Sequence, residues 1–197
     1  MSGKDKQPGW YLSLAMPNVR GPAYAWLDPS PIYLNPEAMQ DCVADMIRPF
    51  DHSEIDLVAG IDGTGFVLGS AIAYHLKKGF LMIRKAGHLA VDVTTVEYTD
   101  YQKKQKSLEM RQNPFPPGTR VLVVDQWIET GGTMWAAVNL IEKAGGKVAG
   151  IATICMEEME GAMKLKMQYD VVHCVPNEEL QKQVNDHYLE SFKNFEK

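Results

Sequence analysis

The chain predicts an α/β fold, a parallel sheet flanked by helices with a ligand site at the carboxyl ends of its strands. Three observations carry this. Short β-branched and apolar runs alternate with stretches of helical periodicity. Two of these runs pass directly into glycine-bearing turns, GIDGTGF at Gly60–Phe66 and TGGT at Thr130–Thr133, and each turn opens a helix. In an open α/β sheet such turns gather at one edge, where ligands bind.

Residues 1–35 are rich in proline and aromatic residues and show little periodicity. Asn35 can cap a helix with Pro36 in its first position, and Met39, Val43, Met46 and Ile47 recur at helical spacing, so a helix spans about residues 36–48. Ile55–Gly60 reads as a strand, Gly65–Lys77 as a helix and Phe80–Arg84 as a strand. Val91–Tyr98 and Gln105–Met110 read as an exposed hairpin or flap with Lys103, Lys104 and Lys106 at its solvated tip. The breaker run Pro114–Gly118, followed by Thr119 and Arg120, leads into Val121–Val124, apolar enough to be a strand covered on both faces. Met134–Ala144 follows as a helix, Val148–Cys155 as a strand, Glu158–Met167 as a short helix, Val171–Val175 as a strand and residues 177–195 as a terminal helix. The methionines at 156, 159, 163 and 167 recur at three- and four-residue steps, which predicts a core-facing stripe.

With 197 residues the chain suffices for one domain with a sizeable core. Its 45% hydrophobic content contains no apolar run near membrane-spanning length, and MSGKDKQPGW lacks the apolar segment of a signal peptide, so the expected address is the cytoplasm, with no membrane partner. Cys42, Cys155 and Cys174 are odd in number and lie in apolar or helical surroundings, which suits buried thiols better than disulfides or zinc. His75, His173 and Cys174 have no metal-ligand company at suitable spacing. Twenty basic against 25 acidic residues give a net charge of −5, which argues against a nucleic-acid surface and leaves room for a local basic pocket that takes one small polyanion.

The chemistry concentrates in VLVVDQWIETGGT, Val121–Thr133. Thr130, Gly131, Gly132 and Thr133 can wrap a phosphate with backbone N–H groups and hydroxyls, at the N-terminus of the helix that follows. Asp125 cannot serve that phosphate, since both are anionic. It suits the neutral hydroxyls of a sugar, or a metal held beside them. The amides of GIDGTGF can face a second anion, so the two turns together suit a phosphorylated ribose with phosphates at both ends. The spacing fits neither GxxxxGK[ST] nor GxGxxG.

VLVVDQWIETGGTM resembles the phosphoribosyl-diphosphate (PRPP) motif of the type I phosphoribosyltransferases. GIDGTGF, IRKAGH at Ile83–His88, VEYT at Val96–Thr99 and WLDPSP at Trp26–Pro31 are similar, in order and spacing, to the adenine phosphoribosyltransferase branch, over about residues 17–175. The resemblance implies a single phosphoribosyltransferase-like domain over residues 1–197, with a hood (about 1–35), a core (about 36–175), a C-terminal helix (about 177–195), a flexible flap and a homodimeric assembly. It implies transfer of ribosyl 5-phosphate from PRPP to a purine base, with release of pyrophosphate. Mg²⁺ would be bound mainly through PRPP, with no metal ligand supplied directly by the chain.

Carried over residue by residue, the resemblance places the 5-phosphate on Thr130, Gly131, Gly132 and Thr133 and the ribose hydroxyls on Asp125. It places pyrophosphate at Asp62, Gly63, Thr64 and Gly65, with Arg84 and Lys85 as the basic pair. A leaving group with several negative charges needs such cations. From position alone these two read as a solvated strand end. Glu97 matches the flap glutamate that helps remove a purine proton, which a carboxylate can do when a flap excludes water. On its alternating strand it reads equally well as a solvent-facing residue.

Four residues depart from the pattern. Gln126 replaces the second acid and brings no charge; Thr64 and Leu27 stand where adenine enzymes carry arginines. Glu129 replaces a small residue and repels a phosphate unless it turns away or reaches the ribose. The stretch from Arg84 to Glu97 is also short and lacks a tyrosine shortly before the glutamate. Two functions follow. Asp125, Glu97, Arg84 and Lys85 favour an active purine phosphoribosyltransferase of salvage metabolism. The departures and the short flap favour a catalytically weak or inactive PRPP or nucleotide sensor acting through a protein partner.

Overall fold

The computed structural model describes residues 6–20, 24–99 and 104–187. After a 3-10 turn at Trp10–Leu14, β1 (Met16–Arg20) and β2 (Tyr24–Asp28) pair antiparallel as a separate two-stranded sheet. There follow α1 (Pro31–Leu34), α2 (Pro36–Ile47), β3 (Leu57–Ile61), α3 (Thr64–Leu76), β4 (Gly79–Lys85), β5 (Val93–Thr99) and β6 (Gln105–Arg111). β7 (Arg120–Ile128), α4 (Gly132–Lys143), β8 (Lys147–Met156), α5 (Glu160–Gln168), β9 (Val171–His173) and α6 (Glu178–Asn185) complete the order. The main sheet runs β5-β6-β4-β3-β7-β8-β9. β4, β3, β7, β8 and β9 are mutually parallel, and β6 and β5 add an antiparallel edge.

Alternation along the strands divides the core into two layers. Val58, Leu122, Val124, Ala152 and Ile154 pack toward α2 and α3, while Ala59, Ile61, Val121, Val123 and Ile151 pack toward α4 and α5. Val121–Val124 is therefore buried on both faces, as its composition predicts. The cap of α2 forms as read: the Asn35 side chain accepts from the N–H groups of Glu37 and Ala38 at 3.0 and 3.1 Å, with Pro36 in the first turn. Cys42, Cys155 and Cys174 are buried free thiols. Among the described residues no helix is long and apolar enough to cross a membrane.

Several boundaries differ from expectation. β7 continues past Val124 to Ile128, because β8 offers partners as far as Met156, so Asp125 and Gln126 lie inside the strand rather than after it. The stretch before residue 35, without periodicity, still forms a 3-10 turn, two strands and a short helix. The methionine stripe is not a core face. Met156 is buried in β8, but Met159, Met163 and Met167 are exposed (43, 38 and 84%), and α5 buries Ala162 and Leu165 instead. The terminal helix stops at Asn185, where the backbone turns extended at Asp186 so that the His187 carbonyl can accept from Ala25 N–H at 3.2 Å. Residues 188–195 of that expected helix, and Lys103 of the flap tip, lie outside the described residues.

Candidate active site

The TGGT segment bends between β7 and α4 because glycine is required there. Gly131, the N-cap of α4, has φ +85°, and a Cβ on it would lie 2.8 Å from the Gly161 carbonyl carbon. A Cβ on Gly132 would lie 2.6 Å from the Thr99 carbonyl oxygen at the end of β5. The loop thus passes between β5 and the start of α5, which the Trp135 indole fastens by donating to the Gly161 carbonyl at 3.0 Å. No acidic residue stands in the first turn of α4, and Gly132 N–H makes only a long bond to Thr130 Oγ1 at 3.5 Å, so the helix start presents its positive end. In front lies a cleft of about 220 Å³ lined by Asp125, Trp127, Glu129 and residues 130–134. That is below the ~300–1,000 Å³ of pockets for drug-sized ligands and suits a sugar phosphate.

Asp125 lines this cleft half-buried, its Oδ1 accepting from Gln126 N–H at 2.7 Å. Lost hydration pushes its carboxyl up to about 7, against the downward pull of that N–H. The Gln126 amide does not sit beside it as a second ligand-reader. It donates to the Tyr33 hydroxyl at 2.6 Å and so ties β7 to α1. Leu27 stands where adenine enzymes carry an arginine. Its side chain is fully buried in the α2–α3 layer, so it is a core residue of β2.

The GIDGTGF turn lies next to TGGT because β3 and β7 are parallel neighbours. A Cβ on Gly65 would lie 2.7 Å from the Val124 carbonyl oxygen and 3.3 Å from Asp125, so the turn rests on the acid itself. Gly63 and Thr64 are exposed, and Thr64 begins α3. Asp62 is engaged by Arg84, whose Nε donates to its Oδ2 at 3.3 Å while Nη1 donates to the His88 carbonyl at 3.0 Å. Arg84 thus bridges the second turn and the segment after β4. Lys85, next along, is exposed. Glu97 is exposed on β5 opposite Ser107, and register puts it on the sheet face shared by Arg84, since Arg84 pairs with Glu109 and Glu109 with Thr95.

Three acids and a histidine absent from the sequence reading shape the surroundings. Glu109 is 3% exposed, and its carboxylate accepts from Gly87, His88 and Leu89 N–H at 2.8, 2.8 and 2.6 Å. Glu157, equally buried, accepts from the Trp127 indole N–H at 2.7 Å and lies 3.1 Å from His187 Nε2. Glu129 turns toward this pair: ligand atoms of Glu129, Glu157 and His187 all lie within 4.8 Å of one another, a set that could hold a cation. Glu158 accepts from the Asn185 amide at 2.9 Å, which helps to seat α6. No sequence pattern signals these partners, because each joins segments far apart in the chain; only the isolated acid in LEM, Leu108–Met110, hints at a buried role.

A phosphoribosyl transferase domain matches residues 32–191. The chain is 41% identical over 140 residues to the adenine phosphoribosyltransferase of Clostridium perfringens, covering 71% of this chain and 80% of that one. Among solved structures it is similar to the adenine phosphoribosyltransferase of Rhodothermus marinus, with a TM-score of 0.73 and 32% identity over 81% of this chain and 91% of that one. It is similar also to the Giardia lamblia APRTase complexed with 9-deazaadenine, with a TM-score of 0.78 and 26% identity over 88% of this chain and 99% of that one.

Proposed function

We infer, because this chain belongs to the phosphoribosyl transferase family, that its cleft transfers ribosyl 5-phosphate from PRPP to adenine or a close purine and releases pyrophosphate. The observation that carries this is the contact of two anion turns around one acid: TGGT follows Asp125 by a few residues, and Gly65 of the second turn rests against it. In this reading Thr130, Gly131, Gly132 and Thr133 hold the 5-phosphate at the N-terminus of α4. Asp125 holds the ribose hydroxyls. As the bond from C1′ to pyrophosphate breaks and the bond to the purine nitrogen forms, Asp62–Gly65, Arg84 and Lys85 receive the departing charge. Glu97, brought in by closure of the β5–β6 flap, takes the proton that leaves the purine.

Asp125 alone of the expected acid pair remains at the cleft, a donor set suited to a cation that keeps most of its oxygens from PRPP. Mg²⁺ bound mainly through PRPP beside Asp125 would neutralise charge on the leaving pyrophosphate. A single domain with a hood at about 1–35 and a cytoplasmic location belong to the same proposal; fractionation of cells carrying the tagged protein tests the latter. The relatives are named as enzymes, which supports catalysis over a sensor.

The direct test supplies PRPP, Mg²⁺ and each nucleobase in turn and follows pyrophosphate release and nucleotide formation. Adenine is expected to turn over, and Glu97→Gln to lower kcat by roughly 10²-fold or more, the contribution of a general base. Binding of PRPP with no turnover on any purine would sink the enzyme reading.

A further inference from the structure

We propose that Glu109 is a positioning residue for the pyrophosphate end of the site: its carboxylate holds the turn after β4 in the shape that keeps Arg84 aimed at the leaving group. This rests on the pyrophosphate role given above to Arg84. In the ladder Glu109 stands directly opposite Arg84, yet its carboxylate is occupied by the turn, with Oε2 on Gly87 N–H and Oε1 on His88 and Leu89 N–H. Three successive N–H groups converging on one anion form a nest, and Gly87, at φ +86°, supplies the left-handed residue that the curl needs. Here the nest is filled by the chain's own carboxylate.

The His88 peptide links the two charges. Its N–H donates to Glu109, and its carbonyl accepts from Arg84 Nη1 at 3.0 Å, while Arg84 Nε is steadied by Asp62 at 3.3 Å. The guanidinium is thereby fixed between the turn after β4 and the GIDGTGF turn. Three donors also absorb the negative charge of a buried acid that would otherwise oppose pyrophosphate. Burial alone would push the Glu109 carboxyl up, and the three N–H groups outweigh it, so the group stays ionised. Glutamine in its place would turn an NH₂ group toward N–H donors, and the turn could not keep its shape.

The test compares Glu109→Gln, Glu109→Asp and Tyr169→Phe with the unaltered chain. Tyr169→Phe removes a hydrogen bond to Glu142, away from the cleft, and serves as the control for lost stability. The readouts are KM for PRPP and for adenine, calorimetric binding of inorganic pyrophosphate with Mg²⁺, and amide exchange at residues 87–89. Glu109→Gln is expected to raise KM for PRPP and weaken pyrophosphate binding, each by about tenfold or more, as loss of a charge-assisted contact at one remove would do. KM for adenine should stay within about twofold, since that substrate does not meet Arg84 in this reading. Exchange at residues 87–89 should quicken, and Glu109→Asp, which keeps the charge, should recover part of each effect. A folded Glu109→Gln protein with unchanged pyrophosphate affinity overturns the proposal. So does an equal loss for both substrates of the kind that Tyr169→Phe produces. Should Glu109→Gln not fold, the aspartate variant decides, and unchanged pyrophosphate binding with unaltered exchange in it overturns the proposal as well. Should no purine turn over, the enzyme reading fails alone, because pyrophosphate binding and exchange still report on Glu109.

Discussion

Asp125 shows how one side chain couples folding to ligand. Its carboxyl, at about 7 in the folded chain, has an ordinary value near ~3.9 when hydrated. Between these values the folded state binds more protons than the unfolded one. Stability therefore falls as pH rises through that window, by at most ~1.4 kcal/mol per unit, and levels off above about pH 7. Asp125→Asn removes the titration. The stability of the variant relative to the unaltered chain should grow from about pH 5 to about pH 7 and then stay constant; urea midpoints across that range measure it, and a difference that does not change with pH would refute the assignment. Ribose hydroxyls favour the ionised acid, so PRPP binding near neutrality should release protons. The position of Asp125 was legible in the sequence, because an acid between a buried strand and TGGT has few other uses. The roles of Gln126 and Leu27 were not. That the Gln126 amide meets Tyr33, and that the leucine standing in place of an arginine is a core residue, depends on partners far away in the chain.

At the junction of β7 and α4 the constraint is backbone space. Gly132→Val would bring a branched Cβ to within 2.6 Å of the Thr99 carbonyl oxygen unless the loop or the end of β5 gives way. The shift should cost about 1–3 kcal/mol, the usual range for overpacking, and displace the amides that face a phosphate. The expected result is a folded protein that no longer binds AMP or PRPP; unchanged AMP affinity by calorimetry would remove TGGT from the phosphate site. Elements of this kind were readable locally. The Asn35-Pro36 start of α2 and the apolar Val121–Val124 run are signals carried by adjacent residues. Strand ends were less so, because β7 extends only as far as β8 supports it. The periodic methionines of α5 gave a wrong face: spacing shows which residues share a side, while the sheet decides which side is covered, and here it covers Ala162 and Leu165.

For the molecule as a whole, alternating strands and helices were enough to foresee a parallel sheet. The Val91–Tyr98 and Gln105–Met110 hairpin forms as β5 and β6, but its pairing with β4 was not foreseen. β6 pairs with β4 and β5 lies outermost, an order set by where the flap returns rather than by any composition. That edge brings Glu97 and Arg84 onto one face, beside α3. On the same side Val67 and Tyr74, seven residues apart on α3, and Met82 of β4 are exposed at 45, 87 and 44%. Large apolar groups left open on one side of a sheet mark an interaction surface when they adjoin one another, and we propose that a second copy of the chain covers them, in keeping with the homodimer that the resemblance implies. A two-fold arrangement would set the same patch against itself. Sedimentation equilibrium at micromolar concentration is expected to give a dimer, and Tyr74→Glu together with Met82→Glu to give a monomer, because each buries an unpaired charge in the interface. Because Met82 precedes Arg84 by two residues on β4 and points to the same face, loss of the dimer should also raise KM for PRPP. A monomer in the unaltered chain would refute the dimer and leave Arg84 to act within one chain; a double variant that still dimerises would place the interface elsewhere.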